Sequence, residues 1–401
     1  MAKRVLLVNK FYYPRGGDCI VVLNTEALLR DNGVEAEVFA MQYPENLSAR
    51  FQRLFPVEVN FGGSLGNKLH ALRRTLGMDD VVRCFNAVLD EFKPDVVHLH
   101  NIHSYLSPVV GRLAHQRGTR VVWTLHDYKL LCPRYDCLLD GKPCEQCFKG
   151  NGQGVLKHRC MKGSLAASAV ARIEAVKWNR LNLEKNTDLF VCPSEFMADK
   201  MKQGGFNPDK IKVLNNFLDP VKFEEYRTLE STSTREDYYC YVGRLSQEKG
   251  IADLLEVASR LPYRLKVAGG GPLEAMLRDK YASCGNIEFL GMLDATGVVN
   301  VLKSARLSVI PSQWYENNPL SVVESLCAGT PVAGSQIGGI PELIETNNGV
   351  VFQPFDNEAM TTAITMSMAR EWNHQEIARQ ALARFGAQPH FQALMRDIYG
   401  F

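Results

Sequence analysis

A bilayer-spanning segment is the first thing missing from this 401-residue chain: no uninterrupted apolar run approaches the roughly 20 residues that a crossing helix needs. The apolar stretch near the start, Val5 to Val8, is soon followed by Lys10 and is too short for the core of a signal peptide. A cytoplasmic location is the expectation. Net charge is nearly absent as well, at +2, so no global field draws in nucleic acid and any basic partner surface must be local. Internal repeats and low-complexity segments are missing. So is the polar excess of disordered chains: 46% hydrophobic and 22% charged residues is ordinary globular composition. The eleven cysteines, in a chain expected in a reducing compartment, read as thiols, core residues or metal ligands and not as a disulfide framework.

What is present is a repeated α/β alternation. The length exceeds what one hydrophobic core supports, so two domains are expected. Short β-branched runs at 4–9, 36–40, 96–100, 121–125, 189–192 and 211–214 alternate with helix-like stretches, the pattern of a parallel sheet with crossover helices. A second series follows at 239–242, 264–268, 287–290, 307–310, 331–334 and 349–352. Between them, residues 217–237 turn polar and lose the strand pattern, with Lys222, Glu224, Glu225, Arg227, Glu230 and the run Ser231 to Thr234, and this reads as a linker. Residues 371–401 read as a terminal helical segment, with Phe385, Phe391, Leu394, Met395 and Ile398 available for docking.

Four constellations follow strand ends, the edge where open α/β sheets bind ligands. Tyr13-Pro-Arg-Gly-Gly17 places Gly16 and Gly17 between a strand and a helix, where bare backbone approaches a phosphate or simply makes a turn. Its spacing is not GxGxxG. Thr124-Leu-His126-Asp127 delivers a histidine to the same edge, either as a structural residue or as a ligand contact, with Asn101 and His103 beside it as weaker candidates. Gly243-Arg-Leu-Ser-Gln-Glu-Lys-Gly250 carries Arg244 and Lys249 on one loop, a fork and a point charge suited to a diphosphate or to open solvent. Gly270 lies in the Ala268-Gly-Gly-Gly-Pro272 run after the next strand.

The fourth, Trp314-Tyr-Glu-Asn-Asn-Pro-Leu-Ser-Val-Val-Glu324, sets two glutamates around an Asn-Asn-Pro step. Carboxylates that share one glycosidic bond sit roughly 5 to 9.5 Å apart. Eight helical residues between Glu316 and Glu324 rise about 12 Å, too far for one bond and suited to gripping two ends of one ligand. Pro319 at a helix start, with Asn318 as cap, leaves the amides of Leu320 and Ser321 directed at an anion.

GRLSQEKG, AGGGPLE and ENNPLSVVESLCAGTPVAGSQIGGIPELI resemble, in order and spacing, the C-terminal domain of family 4 (group 1) retaining glycosyltransferases of the GT-B fold. The Gly-Gly loop and the His126 strand end extend the resemblance over nearly the whole chain. It implies an α/β fold of two Rossmann-like domains facing across a cleft: residues 1–216 on the acceptor side with a cysteine-rich insertion at 132–160, a linker at 217–237, residues 238–370 binding the nucleotide sugar, and residues 371–401 docking towards the first domain. It implies retaining transfer of a sugar from a nucleotide diphosphate sugar to a saccharide or polyprenyl-linked acceptor, in surface polysaccharide or glycoconjugate synthesis, without a catalytic metal. By the same resemblance Arg244 and Lys249 clamp the diphosphate, Glu316 binds donor-sugar hydroxyls, Glu324 binds ribose hydroxyls, and His126 contacts the donor sugar near the reacting carbon. Gly16 and Gly17 approach the phosphates or the acceptor, while Gly270, Asn317, Asn318, Leu320 and Ser321 complete the donor site.

The chain departs from the family where Asn318 and Pro319 replace a common aromatic and glycine, since Pro319 has no amide to donate. Asn317 or Asn318 could supply a side-chain amide in its place. That departure keeps an inactive nucleotide-sugar-binding protein as the alternative; a sugar epimerase of the same fold would need acid and base groups for which only Glu316 and histidines offer. Cys132, Cys144, Cys147 and Cys160 have zinc-ligand spacing, so a structural zinc and a set of reduced thiols are the two readings of that insertion. From Gln153 to Lys185 seven cations (Lys157, Arg159, Lys162, Arg172, Lys177, Arg180, Lys185) face Glu174 and Glu184. This is either a solvated helix face or a peripheral contact with anionic lipid at the inner face of the membrane.

Overall fold

The β-branched runs do become strands, because buried parallel strands are apolar on both faces. In this computed structural model, which describes residues 3–149, 152–228 and 235–401, they run in chain order as β1 (Arg4–Val8), β2 (Glu35–Phe39), β3 (Val96–Leu99), β4 (Arg120–Thr124), β5 (Leu138–Leu139), β6 (Lys142–Pro143), β7 (Leu189–Cys192), β8 (Ile211–Val213), β9 (Tyr238–Val242), β10 (Arg264–Ala268), β11 (Ile287–Gly291), β12 (Leu307–Ile310), β13 (Val332–Ser335) and β14 (Gly349–Phe352). All twelve expected strands are there. The antiparallel β5–β6 hairpin inside the cysteine-rich insertion is an element the residue pattern did not announce.

The chain divides into two compact units, one of Met1–Cys137, Cys144–Asn215 and Phe391–Phe401, the other of Leu138–Pro143 and Asn216–His390. In the first, six parallel strands stand in the order β2-β1-β3-β4-β7-β8, with Val8 opposite Leu99 and Leu99 opposite Trp123. The second sheet is parallel in the order β11-β10-β9-β12-β13-β14, with Ala268 opposite Val242 and Ser308 opposite Cys240. Both orders are of the doubly wound kind, so each sheet has one point where the strand sequence reverses and a crevice opens at the carboxyl edge. That point falls between β1 and β3 in the first unit and between β9 and β12 in the second. The loops bearing Gly16 and Gly17, and those bearing Lys249 and Glu316, leave from these strands.

Two expectations need correction. The polar stretch at 217–237 is not structureless, because Pro220–Thr228 forms a helix that packs on the helix Ala295–Ser304 within the second unit. Its run Ser231 to Thr234 lies outside the described residues. The terminal segment also divides. The helix His374–Phe385 buries Ile377, Ala381, Leu382 and Phe385, an apolar stripe at helical spacing, against the helix Leu320–Cys327 of the second unit. Only Phe391–Phe401 belongs with the first, where Arg120 donates to the Ile398 carbonyl at 2.9 Å and Tyr399 is buried.

A buried cation fixes one of the first unit's edge loops. Arg74 is fully buried and binds the carboxylates of Asp79 and Asp80, the carbonyl of Tyr105 at 2.9 Å and that of Val57 at 3.2 Å. Such a guanidinium holds its place only while every donor is matched, so the stretch following β3 is tied to two other parts of the unit.

Candidate active site

In the second unit the loops after β9 and β12 meet through backbone and side chain together. Gln313 donates its amide to the Glu248 carbonyl at 2.8 Å. Gly250, at φ +69°, lies so close to β12's exit that a Cβ there would sit 1.9 Å from the Pro311 carbonyl oxygen, so only glycine closes the Lys249 loop this way. Lys249 Nζ then reaches Glu316 Oε1 at 2.6 Å, and Ser312 Oγ donates to the same carboxylate oxygen at 2.6 Å. Glu316 is only 6% exposed. Burial alone would push its pKa up; the Lys249 charge and the hydrogen bonds from Lys249 and Ser312 outweigh that and hold it below the ordinary value, hence ionised. Behind it, the Gly339 amide donates to the Glu316 carbonyl at 2.7 Å, and Gly338 at φ +61° leaves no room for a side chain against the Glu316 backbone.

Arg244, on the same loop as Lys249, is exposed and has no ion-pair partner among the described residues, while its carbonyl accepts from Tyr241 Oη at 2.7 Å. The Leu245 amide donates to the Gly270 carbonyl at 2.9 Å, which joins this loop to the Gly-rich one after β10. The helix Leu320–Cys327 begins one residue later than a cap at Asn318 would require: Pro319 is the cap residue, with no side-chain hydrogen bond. The reason is a competing partner, since Asn318 Oδ1 accepts from the Asn216 amide at 3.0 Å and its carbonyl from Asn216 Nδ2 at 2.9 Å. That fixes the orientation of the buried Asn318 amide and leaves its Nδ2 with no hydrogen-bond partner among the described residues. The amides of Leu320 and Ser321 make no backbone hydrogen bond there either. Glu324, expected to bind ribose hydroxyls, pairs with Lys222 from the helix that replaces the linker. Asn317, beside Asn318, is half-buried.

In the first unit, Gly16 is the cap residue of the helix Gly17–Asp31 and both glycines are exposed. Asp18 occupies that helix start. Burial would raise its pKa, but Lys10, His126, the Asn101 amide at 2.7 Å and the Cys19 amide lower it further, so the helix end already holds an anion. His126 Nε2 lies 2.9 Å from His100 Nδ1, the rings stacked at 5.2 Å. His103 Nε2 lies 3.7 Å from Asp127 Oδ1. Burial, Lys129 and Lys10 keep His103 neutral, so this is a dipolar contact and not an ion pair. Lys129 in turn pairs with the buried Glu174 at 2.9 Å, whose carboxylate also accepts from the Ser104 amide and hydroxyl. His100, Asp18, Ser312 and Lys222 were not among the sequence candidates. Only His100 left a trace there, in the i, i+2 alternation of DVVHLH that places His98 and His100 on one face.

Four of the five cysteines of the insertion, the zinc-ligand candidates, are electrostatic neighbours: Cys147 feels Cys132, Cys160 and Cys144. The Cys137 thiol, and then the amides of Arg134 and Cys137, donate to the Cys132 sulfur and lower its pKa to about 7, which favours a thiolate. Cys160 Sγ lies 3.9 Å from the Gly154 carbonyl. The donor set suits zinc, whose tetrahedral shell of four thiolates puts sulfurs about 3.8 Å apart. Among the described residues these thiols are spread wider. The group whose ligand atoms all lie within 4.8 Å is instead His70, Asp79 and Asp80, where Arg74 already supplies the cation.

Comparison with known proteins bears on the whole chain. The profile of "Glycosyltransferase Family 4" matches residues 16–222 and that of "Glycosyl transferases group 1" residues 222–384. The "Uncharacterized 42.6 kDa protein in cps region" of Klebsiella pneumoniae is 25% identical over 399 residues, covering 94% of this chain and 98% of that protein. The D-rhamnosyltransferase WbpZ of Pseudomonas aeruginosa is 28% identical over 44% of this chain and 49% of its own length, and the chain spans about half the length of several other curated relatives. Among solved structures, Anabaena HepE in complex with UDP aligns over 99% of this chain and 100% of its own, with a TM-score of 0.63 at 16% identity. That likeness places the fold with GT-B proteins, two Rossmann-like domains. No helix of the described residues is long and apolar enough to cross a membrane.

The buried edge of the first unit makes a pH dependence. Burial depresses His100 and His103 well below the usual 6.5, and His126 to about 4. Such groups add stability above their unfolded pKa that is lost as pH falls, at up to about 1.4 kcal/mol per pH unit for each unmatched proton. Asp127, pushed up to about 6 chiefly by burial, acts in the opposite sense: its contribution is present at low pH and lost as pH rises through 6. Three histidines outweigh one aspartate, so thermal unfolding followed from pH 8 to 4 is expected to show Tm falling below pH 6.5. His103→Asn should make that fall shallower; a slope identical to wild type contradicts the assignment.

Proposed function

The chain belongs to glycosyltransferase family 4, and we propose that it moves a sugar from a nucleoside diphosphate sugar to a hydroxyl of a saccharide or lipid-linked saccharide, with retained anomeric configuration. The observation that carries this reading is the Lys249–Glu316 contact, four residues before the unbonded amides of Leu320 and Ser321. A departing diphosphate gains charge in the transition state, so groups of fixed positive potential stabilise that state more than the ground state. Exposed Arg244 offers a fork, Lys249 a point charge, and the two amides a helix end. Asn318 Nδ2 supplies the donor that Pro319 lacks. Ionised Glu316 is an acceptor suited to sugar hydroxyls and shares Lys249 with the phosphate, while Glu324 serves the ribose. Because this positive charge comes from side chains and amides, the reading calls on no metal at the reacting carbon.

With Glu316 engaged by Lys249 and Ser312, we favour front-face transfer over a covalent glycosyl intermediate. The bond from the anomeric carbon to the phosphate oxygen breaks, the acceptor oxygen bonds to the same face, and its proton passes to the departing phosphate. Gly16 and Gly17 are assigned to the acceptor, because a phosphate at that helix start would meet the Asp18 carboxylate. HepE, solved with UDP, supports a uridine or similar diphosphate donor, and a relative from a cps region supports a place in surface polysaccharide or glycoconjugate synthesis.

Nucleoside diphosphates are expected to raise Tm, since they bind only the folded state. Lys249→Ala should lower turnover about a hundredfold or more, the loss that follows removal of one transition-state donor, and Glu316→Gln should also lower turnover, by removing the charge that holds Lys249 and accepts from the sugar hydroxyls. Wild-type rates in both variants overturn the site. A stabilising nucleotide sugar that is neither transferred nor slowly hydrolysed identifies a binding protein instead, and an epimerised one identifies an epimerase.

Zinc held by Cys132, Cys144, Cys147 and Cys160 is a separate structural proposal, supported by their chemistry and neighbourhood. About one zinc per chain after metal-free purification, with Tm lowered by chelation, is the expected result. Neither metal nor any response to chelator removes it.

Peripheral contact with the inner face of the membrane is supported by the helix Leu165–Lys177, which exposes Leu165, Ile173 and Val176 between Lys162 and Lys177, with exposed Leu181 following. An apolar face rimmed by cations is the composition of an interfacial helix. Flotation should show binding to anionic vesicles but not to neutral ones, weakened in Ile173→Glu; no binding to either ends this reading.

A further inference from the structure

His98 and His100 leave β3 on one side of the sheet, their rings 4.1 Å apart. His98 is committed on both nitrogens, Nδ1 to Tyr399 Oη at 2.8 Å and Nε2 to Thr124 Oγ1 at 2.7 Å. His100 is 1% exposed and held by its carbonyl, which accepts from Trp123 Nε1 at 2.8 Å. Its Nδ1 meets His126 Nε2 at 2.9 Å, and its Nε2 has no partner among the described residues. His126, at the edge, is therefore left with Nδ1 alone for a ligand.

We infer that His100 is a positioning residue for His126: its Nδ1–H donates to His126 Nε2 and fixes His126 as the neutral tautomer that carries its proton on Nδ1. One proton lies between the two rings, so one ring donates and the other accepts. If His126 were the donor, His100 would carry its own proton on Nε2, a buried N–H with nothing to bond. If His100 is the donor, its Nε2 is a bare acceptor. Buried orphan N–H groups are the rarer and costlier of the two. Burial keeps both rings uncharged near neutral pH, so a doubly protonated ring does not enter.

The consequence, which rests on reading His126 as a ligand contact, is that His126 offers a sugar hydroxyl or phosphoryl oxygen a hydrogen-bond donor and cannot act there as a base. A ring-nitrogen NMR experiment on ligand-free protein at pH 7 reads the tautomer without any turnover. The expected result is a proton on Nδ1 of both His100 and His126; a proton on Nε2 of His126 overturns the inference. His100→Asn keeps an amide donor near the Nδ1 position and should preserve both the His126 tautomer and most of the rate. His100→Leu removes it and should release the tautomer and lower kcat roughly tenfold, by analogy with the loss of a group that orients a metal-binding imidazole. An unchanged tautomer and rate in His100→Leu also overturn it. Should His100→Leu not fold, the wild-type spectrum and the Asn variant decide. If no glycosyl transfer is found, the tautomer stands or falls on the spectrum alone, so the two failures are distinguishable.

Discussion

Burying Glu316 commits the second unit to keeping Lys249 beside it. A lone carboxylate at that depth would cost several kcal/mol of desolvation, and the cost is offset by a matched cation and the Ser312 hydroxyl acting together. The matching sets much of the local architecture. The Lys249 loop must end in a glycine that lies against the Pro311 carbonyl, and the Gly338–Gly339 turn must lie against the Glu316 backbone. The loops bearing Lys249 and Glu316 leave from the strands β9 and β12 that flank the reversal of strand order, so the ion pair stands where a doubly wound sheet opens. A charge pair held at such a place is weak evidence for stability and good evidence for a ligand that will share the charges.

The first unit solves a different problem. It crowds titratable groups at the carboxyl edge of its sheet and suppresses their charges by burial instead of pairing each one. Burial keeps His100, His103 and His126 neutral, and Asp127 is raised towards neutrality. Asp18, with Lys10 and Asn101 beside it, remains ionised. The contrast divides the labour: fixed charge in the second unit suits a diphosphate, and oriented neutral dipoles in the first suit hydroxyl groups.

Most of the fold was legible because its signal is local. Twelve β-branched runs, each closed by a turn former or a polar residue, mark the strands of two parallel sheets, and the E-x7-E block with its GRLSQEKG companion marks the family. The linker and the terminal segment were misread for one reason. Pro220–Thr228 is polar along most of its length, so its pattern resembles an unstructured connection, yet it packs on the helix Ala295–Ser304. The apolar stripe of His374–Phe385 says that the helix packs but not on what, and it chose the helix Leu320–Cys327.

Residue types and spacing were enough to nominate Arg244, Lys249, Glu316, Glu324 and His126, because strand ends and loop glycines are local features. They could not show that Lys249 reaches Glu316, that Glu324 is met by Lys222, that Asn318 turns from capping its helix to bind Asn216, or that His100 takes one nitrogen of His126. Those partners lie between 26 and 102 positions apart in the chain. Hydrogen bonds act over about 3 Å, so partners so distant in sequence become neighbours only after each sheet has assembled its carboxyl edge. Local chemistry nominated the groups; tertiary packing chose their partners and with them their charges.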